Sequence, residues 1–229
     1  MSYDTTIVKK PWGYEYLVYE NDEIGIWFLH INENQSTSLH CHPKKDTGLI
    51  VLDGISEITC LPSTLPDGKR IVQGLDRTSL RRGLFHSTKS LSNPLLLLEV
   101  ETPKDKHDLV RLSDNYGREY KAYEDESFEV PKQSDCLWIE EPKLNDSNTY
   151  DFGNCTLHVE SISSIDIINN KLDTDILVFL KGGLVRIING EKNLVTVPGE
   201  VGLAQYIKQV STKLDGVADN TLVLTITKN

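Results

Sequence analysis

The sequence predicts an all-β protein built as two small barrels, and three observations carry that reading. Short runs rich in Ile, Val, Leu and Thr recur along nearly the whole chain, separated by Gly, Pro, Asn and Asp turn signals. No segment shows a long, clean helical period. A hairpin pattern in the first half has a counterpart in the second. The 229 residues suffice for two barrels of about 100 residues, each able to bury its own core.

Taken in order, strands are expected at 14–19, 25–31, 38–42, 47–52, 56–61, 78–80 and 94–101 in the first half. In the second they are expected at 156–161, 176–180, 184–188, 194–197 and 221–227. Asp53-Gly54, Pro66-Asp67-Gly68, Lys181-Gly182-Gly183 and Asn189-Gly190 mark turns. Residues 61–74 read as a long loop at a barrel mouth, a place that often carries specificity. The internal repeat relates 46–58 to 175–187: an apolar strand, a glycine turn and a second strand. A terminal apolar strand follows each, at 94–100 and 221–226. Duplication of one barrel explains the pattern. The acidic stretch between the halves, with Glu124, Asp125, Glu126 and Glu129, reads as a linker with one short strand at 136–140. The expected boundaries are a first barrel at 1–118, a linker at 119–150 and a second barrel at 151–229.

Hydrophobic residues make up 38% of the chain and charged residues 25%, an ordinary soluble composition. No apolar run approaches the ~20 residues that a membrane helix needs. The first residues lack the apolar core of a signal peptide. A cytoplasmic protein with no membrane partner is expected. The net charge of −10 argues against nucleic acid, whose phosphates demand a basic surface. It leaves room for a small phosphorylated substrate held by a local cluster, Lys44–Lys45 or Arg81–Arg82. The four cysteines (Cys41, Cys60, Cys136, Cys155) show no CxxC spacing and are expected as free thiols.

The chemistry is expected at His40-Cys41-His42. Side chains alternate along a strand, so both imidazoles enter one barrel while Cys41 points to the other face. Two neutral imidazoles on one face are half of a divalent metal site. His86, in the segment Arg82-Gly83-Leu84-Phe85-His86 before the last strand of the barrel, is the expected third ligand. That last strand is expected to lie beside the His-Cys-His strand. The plainer alternative is three surface or barrel-lining histidines with no ion. His30, His107 and His158 lack such partners. They are expected to pack in the first sheet, to lie in a charged loop and to sit on a surface strand. Trp12, Tyr14, Tyr16 and Trp27 are read as core residues, with a sugar-stacking wall as the alternative.

These motifs resemble the cupin domain of type II mannose-6-phosphate isomerases over roughly the first half of the chain. The residues that carry the likeness are Lys10-Pro11-Trp12-Gly13-Tyr14-Glu15, Ser38-Leu39-His40-Cys41-His42 and Leu98-Glu99-Val100. The most specific is the tail Asp108-Leu109-Val110-Arg111-Leu112-Ser113-Asp114-Asn115-Tyr116-Gly117-Arg118. The sequence departs from that family in three places. His40 stands where the isomerases have Gln, Lys45 where they have Arg, and Thr47 where the general cupin motif has a ligating Glu.

Together with the internal repeat, the resemblance implies a bicupin of two jelly-roll-type barrels; no His-x-His precedes residues 175–187, so the second barrel is expected to be degenerate and to bind no metal. The resemblance also implies a homodimer. Its one divalent transition metal (Zn, Fe, Mn, Ni or Co) is expected on His40, His42 and His86, with Asp46 as a fourth ligand. Lys45 and Glu99 are the candidate catalytic residues, with Glu57 and Asp46 as alternative bases. Lys44 and Arg82 are the candidate substrate-binding residues. The implied reaction is aldose–ketose isomerisation or epimerisation of a sugar or sugar phosphate through a metal-held enediolate. Two alternatives stand beside it: a three-His non-haem iron oxygenase, and a sugar-binding cupin without turnover.

Overall fold

The computed structural model describes residues 6–62, 64–65, 67–105, 107–117, 131–143 and 146–229. The chain divides into two compact units, Met1–Trp138 and Ile139–Asn229. The boundary falls inside the stretch expected as a linker. Most of that stretch's acidic core, including Glu124, Asp125, Glu126 and Glu129, lies outside the described residues.

The first unit comprises β1 (Ile7–Lys10), β2 (Gly13–Glu20), β3 (Gly25–Ile31), β4 (Leu39–Cys41), β5 (Asp46–Asp53) and β6 (Ile55–Leu61). It continues with β7 (Lys69–Gln73), β8 (Asp76–Leu80), β9 (Phe85–Ser90), β10 (Leu95–Thr102) and β11 (Val110–Ser113). One antiparallel sheet runs in the order β1-β2-β3-β10-β5-β8 and the other in the order β11-β4-β9-β6-β7. From β3 to β10 the chain passes back and forth between the two sheets. One takes β3, β10, β5 and β8, and the other takes β4, β9, β6 and β7. That wrapping is the eight-stranded double Greek key of a jelly roll, the all-β fold of cupins.

Strand β10, reading LLLLEVET, shows how the interior is divided. Its inward residues at period two are Leu95, Leu97, Glu99 and Glu101. Leu97 stands opposite Leu29 and Val51, and Glu99 opposite Trp27 and Leu49. Leu95 and Leu97 join Trp12, Leu29, Val51 and Ile58 in the core. Glu99 and Glu101 face a pocket. One half of the barrel interior is therefore apolar and holds the fold, while the other is polar and can do chemistry.

Three expectations are corrected. The supposed long loop at 61–74 contains β7. The last strand, β10, pairs with β3 and β5 in the opposite sheet, and the strand beside β4 is β9, which itself carries His86. No strand forms at 136–140. A 3-10 turn at Gln133–Asp135 precedes that segment, and the Leu137 N–H donates to the Tyr16 hydroxyl at 3.1 Å.

The second unit contains β12 (Ser147–Phe152), β13 (Cys155–Ser161), α1 (Ile165–Asn169), β14 (Ile176–Lys181), β15 (Leu184–Ile188) and β16 (Glu191–Leu194). It ends with β17 (Val201–Leu203), α2 (Ala204–Ser211), β18 (Gly216–Val217) and β19 (Leu222–Lys228). The strand expected at 194–197 is thus displaced toward the hairpin turn at Asn189-Gly190. The sheets run β12-β13-β19-β14-β17 and β16-β15-β18. In the first unit β2-β3-β10-β5-β8 and β7-β6-β9 stand in the same order. Where β4 would come, between β13 and β14, the chain forms α1, capped by Ser164, whose hydroxyl accepts from the Asp166 N–H. Helix α1 brings Ile168, and α2 brings Ala204 and Ile207, to a core with Leu177, Phe179 and Val223.

The glycines of the sequence repeat have a common cause. Gly54 (φ +93°) would place a Cβ 2.7 Å from the Pro94 carbonyl oxygen, and Gly182 (φ +60°) would place one 3.0 Å from Thr221 Cα. Each turn passes hard against the segment that leads into a central strand, β10 in the first unit and β19 in the second, and only glycine fits. No helix among the described residues is long and apolar enough to cross a membrane. All four cysteines are free thiols.

Candidate metal centre

His40 lies on β4, His42 follows it at the same period-two spacing, and His86 on β9 is the direct cross-strand partner of His40. The rings lie 4.5 Å (His40–His86), 4.9 Å (His40–His42) and 5.4 Å (His42–His86) apart between centroids. One ring nitrogen of each falls within 4.8 Å of the others. All three side chains are buried.

Hydrogen bonds set the tautomers. Nδ1 of His40 lies 2.8 Å from the Ser38 carbonyl, Nδ1 of His42 lies 2.6 Å from the Asp108 carbonyl, and Nδ1 of His86 lies 3.0 Å from the Leu84 carbonyl. A carbonyl only accepts, so each Nδ1 carries the proton, and each neutral ring turns the lone pair of Nε2 inward. Burial, reinforced by the two neighbouring imidazoles, holds the His40 pKa well below the ordinary histidine value. Burial lowers that of His86 to about 4. His86 Nε2 is buried with no hydrogen-bond partner in the protein. A buried acceptor in that state is costly, and a cation satisfies it. Three neutral imidazole donors with fixed outer hydrogen bonds fit a divalent transition metal.

The triad opens into a pocket also lined by Lys10, Glu15, Lys45, Glu99, Glu101 and Arg111. Glu99 Oε1 lies 3.9 Å from His42 Nε2. Lys45, 1% exposed, donates from Nζ to Glu101 Oε1 at 2.5 Å and to the Asp105 carbonyl at 3.1 Å. Lys10 and Glu15, both buried, approach to 3.8 Å. Arg111 on β11 is the cross-strand partner of His40 and also lines the pocket. Three cations and three carboxylates thus surround three neutral imidazoles.

The structure brings together His40, His42, His86, Lys45 and Glu99 of the expected site, and it places the others outside. Asp46 is half exposed and bonds Arg82, at 2.8 Å to the guanidinium and 2.9 Å to the backbone N–H. That contact holds its carboxyl below the usual range. Asp46 and Arg82 pair with each other at the surface and do not line the pocket beside the imidazoles. Lys44 is exposed, and Glu57 pairs with Lys69 at 3.0 Å. Sequence reasoning assigned no role to Lys10, Glu15, Glu101 or Arg111. Lys10, Glu15 and Arg111 lie inside two of the motifs that carried the family resemblance, and that was the available signal.

Trp12 and Trp27 belong to the core. Tyr14 stacks on His30 at 4.5 Å and Tyr16 on Phe28 at 4.9 Å, as their cross-strand registers require. His107 is exposed, and His158 on β13 bonds Thr149 at 2.9 Å.

No family model and no curated protein matches the chain. Solved structures do, and the following three each match less than half of it. KdgF from Halomonas sp. is 16% identical over 42% of this chain and 84% of its own, with a TM-score of 0.39. The DMSP lyase DddQ from Ruegeria pomeroyi is 16% identical over 43% of this chain and 50% of its own, at 0.38. The cupin domain of Cnp3 from Schizosaccharomyces pombe is 10% identical over 40% of this chain and 64% of its own, at 0.36.

Proposed function

We propose that the first unit is a metal-dependent cupin that isomerises or epimerises a small anionic sugar, such as a sugar phosphate. The observation that supports this most directly is the set of three backbone carbonyls that turn three imidazole Nε2 atoms toward one point. His40, His42 and His86 would hold one divalent ion, which would polarise a carbonyl group and stabilise negative charge developing on its oxygen.

The chain's own residues supply the rest. Glu99, beside the triad, is placed to take the proton from the carbon next to that carbonyl and return it to the adjacent carbon. One C–H bond breaks and one forms, and a proton moves from the neighbouring hydroxyl to the former carbonyl oxygen, with no net change in oxidation state. Lys45 pairs with Glu101 at the pocket wall. Arg111, with Lys10, takes the anion-binding role that the sequence suggested for Lys44 and Arg82, because a guanidinium pairs with carboxylate or phosphate through two parallel hydrogen bonds. The second unit we read as a copy whose ligand-bearing strand has become α1 and whose interior is apolar.

The test is elemental analysis followed by incubation with hexose and pentose phosphates in D2O without oxygen. One equivalent of bound transition metal and deuterium at the carbon next to the carbonyl are expected. Stoichiometric iron with oxygen uptake and no deuterium incorporation would replace this reading with an oxygenase. Absence of metal from the purified protein and after metal dialysis would leave a binding module.

A further inference from the structure

The tail that distinguishes this sequence from a generic cupin, Asp108 to Tyr116, is fastened to the histidine strand at both ends. After that strand, the Asp108 carboxylate accepts from the Lys44 N–H at 2.8 Å and the Lys45 N–H at 3.0 Å, both on Oδ2. Its own carbonyl accepts from His42 Nδ1. Along the strand, β11 pairs with β4, with Val110 opposite Cys41 and Arg111 opposite His40. Before it, the Tyr116 hydroxyl donates to Gln35 Oε1 at 2.7 Å and accepts from the Ser36 N–H at 3.3 Å, and the Asn115 amide donates to Ser36 Oγ at 3.1 Å. Asp108 is 7% exposed.

From this geometry we infer that Asp108 is a positioning residue of the metal centre. Its side chain locks the turn that follows His42, and its carbonyl aims the imidazole. A carbonyl can select a tautomer only while it stays within hydrogen-bond reach. The carboxylate is what holds it there, because it grips the two N–H groups next beyond His42 but one. The same grip fixes the start of Lys45, whose ammonium reaches back to the Asp105 carbonyl in the same segment. Outer hydrogen bonds of this kind are worth about 10–100-fold in metal affinity. The inference rests on the metal reading above, and its test separates the two.

The experiment uses the full chain, Zn2+ and a competing chelator, with long-range 1H–15N spectra of the metal-free protein. Asp108→Ala is expected to weaken Zn2+ binding about 10–100-fold and to turn His42 from a single Nδ1–H tautomer into a mixture. Asp108→Asn keeps an oxygen able to accept both N–H groups and is expected to stay within about threefold of wild type on the same scale. Should the alanine variant fail to fold, Asp108→Glu, which retains the charge but pushes the carbonyl away, is expected to lose affinity in the same direction. Wild-type Zn2+ affinity with an unchanged His42 tautomer in the alanine or glutamate variant would overturn the role. Should wild-type protein bind no Zn2+, the metal reading falls, and the tautomer alone decides: unchanged in the variant, it refutes the positioning role.

Discussion

His40 and His86 are Cα partners across β4 and β9, with ring centroids 4.5 Å apart. Cross-strand pairing therefore assembles most of the ligand set, and neither ring depends on a loop for its place. His86→Ala should lower metal affinity by more than the ~10–100-fold typical of an outer-shell partner, while far-UV circular dichroism stays that of wild type. Equilibrium dialysis with elemental analysis reads the loss. Cys41→Ser should leave metal content unchanged.

The metal-free protein should lose stability in acid. Burial depresses the folded-state pKa of His86 to about 4 and lowers that of His40 as well. The unfolded chain therefore takes up protons first. The stabilisation is complete above the unfolded value of about 6.5 and is lost as pH falls from there toward 4. His86 alone withdraws roughly 3 kcal/mol across that window. Urea titrations at pH 7.5 and pH 4.5 measure it, and His86→Gln should flatten the slope.

Glu99→Gln should leave metal content intact and lower kcat by about 10²–10⁴, the usual worth of a positioned proton carrier. Loss of metal and turnover together would instead make Glu99 a ligand.

Lys45→Met strands the Glu101 carboxylate in a buried site and should cost about 3–5 kcal/mol. Adding Glu101→Leu removes the stranded charge and should recover most of that loss. Denaturant unfolding of the two single variants and the double variant closes the cycle.

Legibility in the sequence followed apolar periodicity. Gly25–Ile31 and Leu184–Ile188 form strands with the bounds their patterns suggest. Phe85–Ser90 was missed because its buried positions are His86, Thr88 and Ser90. A strand that faces a polar pocket carries no hydrophobic signature. Lys69–Gln73 was missed because only Val72 is buried. His40 and His42 were legible from their spacing, and His86 from its place in the turn before an apolar strand. The choice among charged residues was not, since Arg82 and Arg111 differ only in what faces them once β11 lies against β4. Asp46 meets Arg82 because β5 and the turn before β9 bring the two together, a contact that no spacing in the sequence signals.

The small sheet of the second unit pairs three strands, and among the described residues β16 and β18 have a neighbour on one side only. Such edges invite other chains to add to them, the more so where Ile187, Ile188 and Leu194 are exposed nearby. Brevity is the safeguard: β18 spans two residues and β16 four. Lengthening either strand, by changing the Asn189-Gly190 turn or residues next to Gly216, would turn a tolerated vacancy into a template for polymerisation.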